Sequence, residues 1–133
     1  MHKKIRFLAL LAGLAVDILG TLAFSIALGI IATIVAVSIG MPLESFYEKT
    51  TTDVVFLLVQ YMIGIIFTFV GAFITARLSR PYSLLNTFLF GLFTTLLGLL
   101  FISMIPLWYT ALCVLTIIPV SLIPGYMFSP KNA

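Results

Sequence analysis

The chain has 133 residues, of which 62% are hydrophobic and only 8% are charged, whereas about a quarter of the residues in a soluble domain are charged. This composition excludes an ordinary water-soluble domain and predicts an integral membrane protein. The formal net charge is +3, but the basic residues do not form a patch interleaved with aromatic residues, so nucleic acid is not an expected partner.

Four apolar segments are long enough to cross the hydrocarbon core of a membrane, which takes about 20 mainly apolar residues. Continuous apolar segments without an alternating polar pattern favour helices over barrel strands, because a helix satisfies its own backbone hydrogen bonds. We therefore predict an all-α fold, an integral membrane four-helix transmembrane bundle that forms one domain over residues 1–133. The predicted helices cover residues 7–40, 54–76, 84–105 and 107–128.

The first apolar segment would be about 51 Å long as an α-helix, which exceeds the thickness of the membrane core. We expect it to tilt, bend or project, and to end near Gly40 and Pro42, because a residue that precedes proline disfavours helix. The connection that follows is predicted to be a solvated outer loop. Thr52 or Asp53 is expected to cap the second helix.

Six of the seven lysine and arginine residues fall on one side of the predicted bundle, at Lys3, Lys4, Arg6, Arg77, Arg80 and Lys131. The positive-inside rule makes this side cytoplasmic. Both termini are therefore predicted to be cytoplasmic (N-in/C-in). We expect a multi-pass protein of the bacterial inner (cytoplasmic) membrane.

The later connections are short. Arg77 and Arg80 mark the inner end of the second helix, and the brief connection through Pro81 predicts that the second and third helices form an antiparallel hairpin. The fourth helix begins with aromatic residues that suit the outer membrane interface. Pro119 and Pro124 each remove a backbone donor and are expected to bend it.

Each of the first three predicted helices carries a polar residue between two glycines, in the segments GLAVDILG, GIIFTFVG and GLFTTLLG. Offsets of three, four and seven residues put these positions on one helical face, and each polar residue lies about 14 to 16 Å from the predicted inner end of its helix. Small residues let membrane helices approach closely. We predict a shared polar layer of Asp17, Thr68 and Thr95, with helix-packing glycines at Gly13, Gly20, Gly64, Gly71, Gly91 and Gly98.

Asp17 is the one charged residue within the segment 7–40. A charge near the bilayer centre costs about 2.5 to 3.5 kcal/mol on insertion scales, so such residues usually face a bundle interior or a wet cavity. One interpretation is that Asp17 binds a proton or a cation. The other is that it fixes helix register by hydrogen bonding to Thr68, Thr95 or Gln60. The sequence leaves both open.

The usual catalytic groups are not clustered. The only histidine is His2, and the acids other than Asp17 fall in the first predicted loop, so neither a metal-ligand set nor a catalytic triad is expected. No phosphate-binding or dinucleotide-binding glycine motif occurs. Cys113 is the single cysteine and is interpreted as a packing residue. We expect no enzymatic activity, no metal and no cofactor.

Two local resemblances bear on function. The segment LAVDILGT at residues 14–21 looks like the first helix of the small multidrug resistance transporters, which implies that Asp17 is a proton- and cation-binding acid. The residues Gly71, Ala72, Ala76 and Arg77, followed by a short connection and a glycine-rich helix, are similar to those of uncharacterised four-helix bacterial inner-membrane proteins. That resemblance implies a location and a fold, but no activity.

From these patterns we expect a non-enzymatic membrane protein, an accessory or structural subunit of a larger complex. Its expected partners are the lipid bilayer and either other membrane subunits or further copies of itself. The alternative is a small proton-coupled cation or drug transporter that uses Asp17.

Overall fold

The computed structural model describes residues 5–130, and every regular element in this range is helical. The helices are α1 (Phe7–Ser38), α2 (Leu43–Thr52), α3 (Val54–Leu78), α4 (Ser83–Leu99) and α5 (Leu107–Met127), with a 3-10 turn at Ile102–Met104. By length and composition, α1, α3 and α5 can each cross a membrane, whereas α4 is apolar but has only 17 residues. The predicted all-α class is thus confirmed for residues 5–130, and three of the predicted spans are long and apolar enough to cross a membrane. His2, Lys3, Lys4 and Lys131 lie outside the described residues.

The helix α1 ends, and α3 begins, close to the positions that the sequence predicts. The helix α1 stops at Ser38, and Gly40 has a φ of 72°, a left-handed conformation that glycine adopts without steric cost. At the start of α3, the backbone N–H of Phe56 donates to Oδ1 of Asp53 at 2.8 Å. Asp53 is therefore the N-cap of α3.

The connection between α1 and α3 is not the loop that the sequence predicts, because residues Leu43–Thr52 form the helix α2. Pro42 has extended backbone and precedes the first turn, Glu44 lies in that turn, and Lys49 lies in the last turn. Charges of these signs at these ends stabilise a helix through its dipole. The segment also contains neither glycine nor proline, so nothing within it interrupts the helix.

The helix α4 is shorter than predicted and ends at Leu99 rather than at residue 105. Leu100 and Phe101 donate to the carbonyls of Leu97 and Gly98, a three-residue spacing that tightens the last turn. Ile105 is extended, with φ −131° and ψ 153°, as expected before Pro106. Pro106 thus accounts for the extended backbone of Ile105 but not for the end of α4 at Leu99.

The helix α3 is central and packs against α1, α4 and α5, while α4 packs mainly against α5. We call the end of the bundle that carries Arg6, Arg77 and Arg80 the basic end. There, the backbone N–H of Arg6 donates to Oδ1 of Asn86 at 2.9 Å, which ties the start of α1 to α4. The helix α2 lies at the other end, where it contacts α1 and α3.

The half of the bundle next to the basic end is held together by hydrogen bonds from small polar side chains, which the sequence patterns did not single out. Thr75 donates to the carbonyl of Ala9 at 3.2 Å, and Ser83 donates to that of Gly125 at 3.0 Å. These bonds join α3 to α1 and α4 to α5. Both side chains are fully buried, so the interior of this half is closely packed, and the cavity inside the bundle lies in the other half.

Candidate functional site: a cavity at Asp17

A cavity of about 690 Å³ lies between α1, α3, α4 and α5. Its lining residues on α1 follow Asp17 and those on α3 precede Thr68, so it extends from Asp17 away from the basic end. Its wall is mainly apolar, with hydroxyl groups from six smaller side chains, Thr21, Ser25, Thr68, Thr94, Thr95 and Thr110. The helix α4 ends at Leu99, and the chain that follows is irregular. Residues 97–101, at this C-terminal end of α4, line part of the cavity.

Asp17 is buried, with only 4% of its surface exposed. Its Oδ1 accepts a hydrogen bond from the hydroxyl of Thr68 on α3 at 3.2 Å, and its Oδ2 accepts one from Thr94 on α4 at 3.3 Å. The carboxyl group thus joins three helices. The basic residue nearest to Asp17 along α1 is Arg6, and the two positions are about 16 Å apart along the helix axis. No cationic side chain of α1 therefore compensates a charge on Asp17.

The structure places Thr94, rather than the predicted Thr95, at hydrogen-bonding distance from Asp17. The Thr95 hydroxyl donates to the carbonyl of Gly91 within α4 at 2.8 Å, although Thr95 also lines the cavity. Successive helical residues point about 100° apart, so the two threonines cannot face the same carboxyl group. Gln60, the weakest predicted partner, lines a separate groove near α2.

Four of the six predicted packing glycines lie where helices approach closely. A Cβ on Gly13 or Gly71 would lie 2.6 Å from the carbonyl oxygen of the other. A Cβ on Gly20 would clash with the Phe67 side chain of α3, and a Cβ on Gly91 would clash with the Ser121 side chain of α5. Each of these positions therefore has no room for a side chain unless its neighbour moves.

Gly64 and Gly98 do not pack against a neighbouring helix, because a Cβ at either would meet no atom within 4 Å. Both line the cavity instead, so their assignment as helix-packing residues is corrected. The sequence pattern also missed Gly125, where a Cβ would clash with the Thr87 hydroxyl and lie 3.2 Å from the Cα of Leu84. In the sequence, the neighbouring Pro124 predicts a bend in the helix at this position, and nothing there indicates a close contact between two helices.

Aromatic side chains form the other end of the cavity. The rings of Tyr61 and Tyr109 meet edge to face with centroids 6.4 Å apart, and Trp108 packs on Tyr109 at 5.8 Å. Both tyrosines line the cavity, as does Cys113. The site therefore has a carboxyl group at one end, aromatic rings at the other and apolar walls between them. These are the features that bind an apolar molecule carrying a positive charge.

Within residues 5–130, no group of three or more histidine, cysteine, aspartate or glutamate side chains is placed to hold a metal ion. No protein-family model, curated protein or solved structure matches this chain. The geometry of the Asp17 cavity is therefore the basis for a functional proposal.

Proposed function

We propose that the chain is a non-enzymatic, multi-pass protein of the bacterial inner membrane, with four spans and both termini cytoplasmic. As a helix, α4 is about 26 Å long, and apolar residues continue beyond it as far as Pro106, so a fourth crossing is compatible with the thickness of the membrane core. The distribution of charge supports the orientation, because Arg6, Arg77 and Arg80 lie at one end and α2 carries both of its acids at the other.

Labelling of single cysteines tests this topology. In a Cys113→Ala background, Thr51→Cys places a thiol on the exposed part of α2, and Pro130→Cys places one beyond α5. A membrane-impermeant maleimide added to spheroplasts should label the first variant and should reach the second only after permeabilisation. Labelling of both from outside would mean that the fourth span is absent.

For the activity, we propose that the cavity binds a lipophilic cation at Asp17 in exchange for a proton, which makes the protein a small proton-coupled cation transporter. The observation that carries this proposal is a buried carboxyl group at one end of a mainly apolar cavity of about 690 Å³. Cavities of this size accommodate drug-sized ligands. A single carboxylate compensates one positive charge, so binding of the cation and binding of the proton exclude each other.

The purified protein should bind tetraphenylphosphonium and release a proton, which calorimetry in two buffers of different ionisation enthalpy measures. In proteoliposomes, a pH gradient should drive uptake of the same cation. Asp17→Asn should weaken binding by about tenfold or more, because it removes the opposite charge, and should abolish coupled uptake. Glu48→Gln is the matched control, since it makes the same charge change on α2.

Equal binding by Asp17→Asn and the unmodified protein would overturn the transporter proposal. So would the absence of pH-driven uptake in vesicles whose protein is shown to be inserted and correctly oriented.

The hydrogen bonds of Asp17 to Thr68 and Thr94 favour a second proposal, in which the acid is structural and the protein is an accessory subunit of a membrane complex or a homo-oligomer. Those bonds hold α1, α3 and α4 together without any ligand. Under this proposal, Asp17→Asn should leave assembly intact, because the amide oxygen still accepts a hydroxyl. Purification in mild detergent should recover a stable complex, and recovery of monomer alone would exclude it.

A further inference from the structure

A second depression, of about 460 Å³, lies at the basic end and is lined by Phe73, Arg77, Arg80 and Phe128. It is formed by the end of α3, the connection to α4 and the residue that follows α5. The Asp17 cavity shares none of these residues, so the two sites are separate.

The aromatic rings hold one of the two arginines in place. Phe73 and Phe128 meet edge to face with centroids 5.0 Å apart, and the Arg80 guanidinium carbon lies 4.5 Å from the centre of the Phe128 ring. An arginine over an aromatic face is attracted to the ring and loses conformational freedom. Its planar donors are then fixed at the edge of the depression.

In the part of the chain that the structure describes, neither arginine has a carboxylate partner. The chain has four acidic side chains, of which Asp17 is buried in the bundle and the other three belong to α2 or to the cap of α3. Asp53 and Arg77 lie at opposite ends of α3, about 36 Å apart. Arg6 at the same end is engaged elsewhere, since its guanidinium donates to the carbonyl of Leu78 at 3.0 Å. Arg77 and Arg80 are both exposed, so their donors are available to an external anion.

The chemistry of the depression changes with depth. Phe73 precedes Arg77 by one helical turn, which puts Phe73 about 6 Å deeper along α3 than Arg77, and the Phe128 ring packs against Phe73. With the arginines at the level of the headgroups of a membrane, the Phe73 ring lies toward the start of the hydrocarbon, and Phe128 lies between Phe73 and Arg80. Basic pockets at this level recognise anionic headgroups, and guanidinium groups match the oxygen geometry of a phosphate.

We propose that Arg77 and Arg80 bind the phosphate of an anionic phospholipid, whose acyl chains pack against Phe73 and Phe128. This site does not depend on what the Asp17 cavity binds. It requires only that the basic end lies at a membrane surface.

The test compares phosphatidylglycerol with phosphatidylcholine by native mass spectrometry of the full chain in detergent. The unmodified protein should retain phosphatidylglycerol with about tenfold higher affinity, as expected for two charge-assisted contacts. The double variant Arg77→Gln/Arg80→Gln should lose this preference, whereas Lys49→Gln, which removes a charge from α2, should keep it. Arg80→Lys preserves the charge and should weaken the preference partly, because an ammonium group does not reproduce the planar contact.

Circular dichroism and thermal unfolding of each variant show whether it is folded, and Arg80→Lys serves as the main variant if the double variant is not. Equal binding of the two lipids by the unmodified protein would overturn the proposal, as would a full preference in the folded double variant. Glycerol phosphate, which lacks acyl chains, should not displace the lipid at equal concentration. If it does, the site binds phosphate alone and the lipid assignment is wrong.

Discussion

Gly13 on α1 and Gly71 on α3 bring the two helices into backbone contact, because a Cβ at either glycine would lie 2.6 Å from the carbonyl oxygen of the other. The contact lies one turn before Asp17 on α1. A Cβ on Gly71 would also lie 3.1 Å from the Cβ of Asp17. This crossing fixes the distance between the two helices and therefore positions Asp17 against Thr68.

Gly71→Ala should push α1 away from α3. Overpacking of this kind costs about 1 to 3 kcal/mol, and the Asp17 to Thr68 hydrogen bond should lengthen with it. Unfolding by sodium dodecyl sulfate, followed by the fluorescence of Trp108, measures the change in the free energy of unfolding.

Gly64→Ala is the matched control for Gly71→Ala, because it lies on the same helix and a Cβ there meets no atom within 4 Å. Alanine is the better helix former by about 1 kcal/mol, so this variant should be as stable as the original or slightly more stable. If both variants lose the same stability, the close crossing of α1 and α3 is not what holds them together.

The sequence predicts the helical class because long apolar segments leave few alternatives, and it predicts caps such as Asp53 because capping depends on neighbouring residues. The same local reasoning fails at Leu99, where α4 ends well before Pro106 and no glycine or proline directly follows the end. It also cannot separate Gly71 from Gly64. Both belong to the same GxxxTxxG pattern, but only the packing of α1 decides which one is covered and which one faces open space.

The Asp53 cap provides a direct test of the junction between α2 and α3. Asp53→Ala should destabilise the protein by about 1 kcal/mol, because the backbone N–H of Phe56 loses its acceptor. Asp53→Asn keeps a side-chain oxygen and should be nearly neutral. Unfolding in sodium dodecyl sulfate measures both variants, and an equal loss in both would indicate that the charge of Asp53 matters more than its cap.

Thr94 and Thr95 are adjacent, yet only Thr94 donates to Asp17. Thr94→Val should destabilise the bundle by about 0.6 to 2 kcal/mol, the range for hydrogen bonds between membrane helices. Thr95→Val removes a bond within α4 and should have a smaller effect, because Gly91 keeps its backbone partner in the helix. The difference between the two free energies of unfolding is the measurement. A larger loss for Thr95→Val would restore Thr95 as the partner that the sequence pattern predicts.

The Asp17 cavity can be filled without changing any polar group. Gly98 lines it, and a Cβ there meets no atom within 4 Å, so the side chain of Gly98→Leu has room and would occupy part of the space. Leucine is also the better helix former, so the fold should be retained. We expect binding of tetraphenylphosphonium to fall by about tenfold, equivalent to about 1.4 kcal/mol, with no loss of thermal stability.

Gly29→Leu is the control for Gly98→Leu, because Gly29 on α1 is equally open but lines the groove near α2 rather than the Asp17 cavity. It should bind the cation as the unmodified protein does. Unchanged binding in Gly98→Leu would mean that the cation, if bound, does not enter this cavity. An equal loss in both variants would point to partition of the cation onto apolar surface rather than to a site. A selective loss in Gly98→Leu, together with loss in Asp17→Asn, would place the bound cation between the carboxyl group and the end of α4.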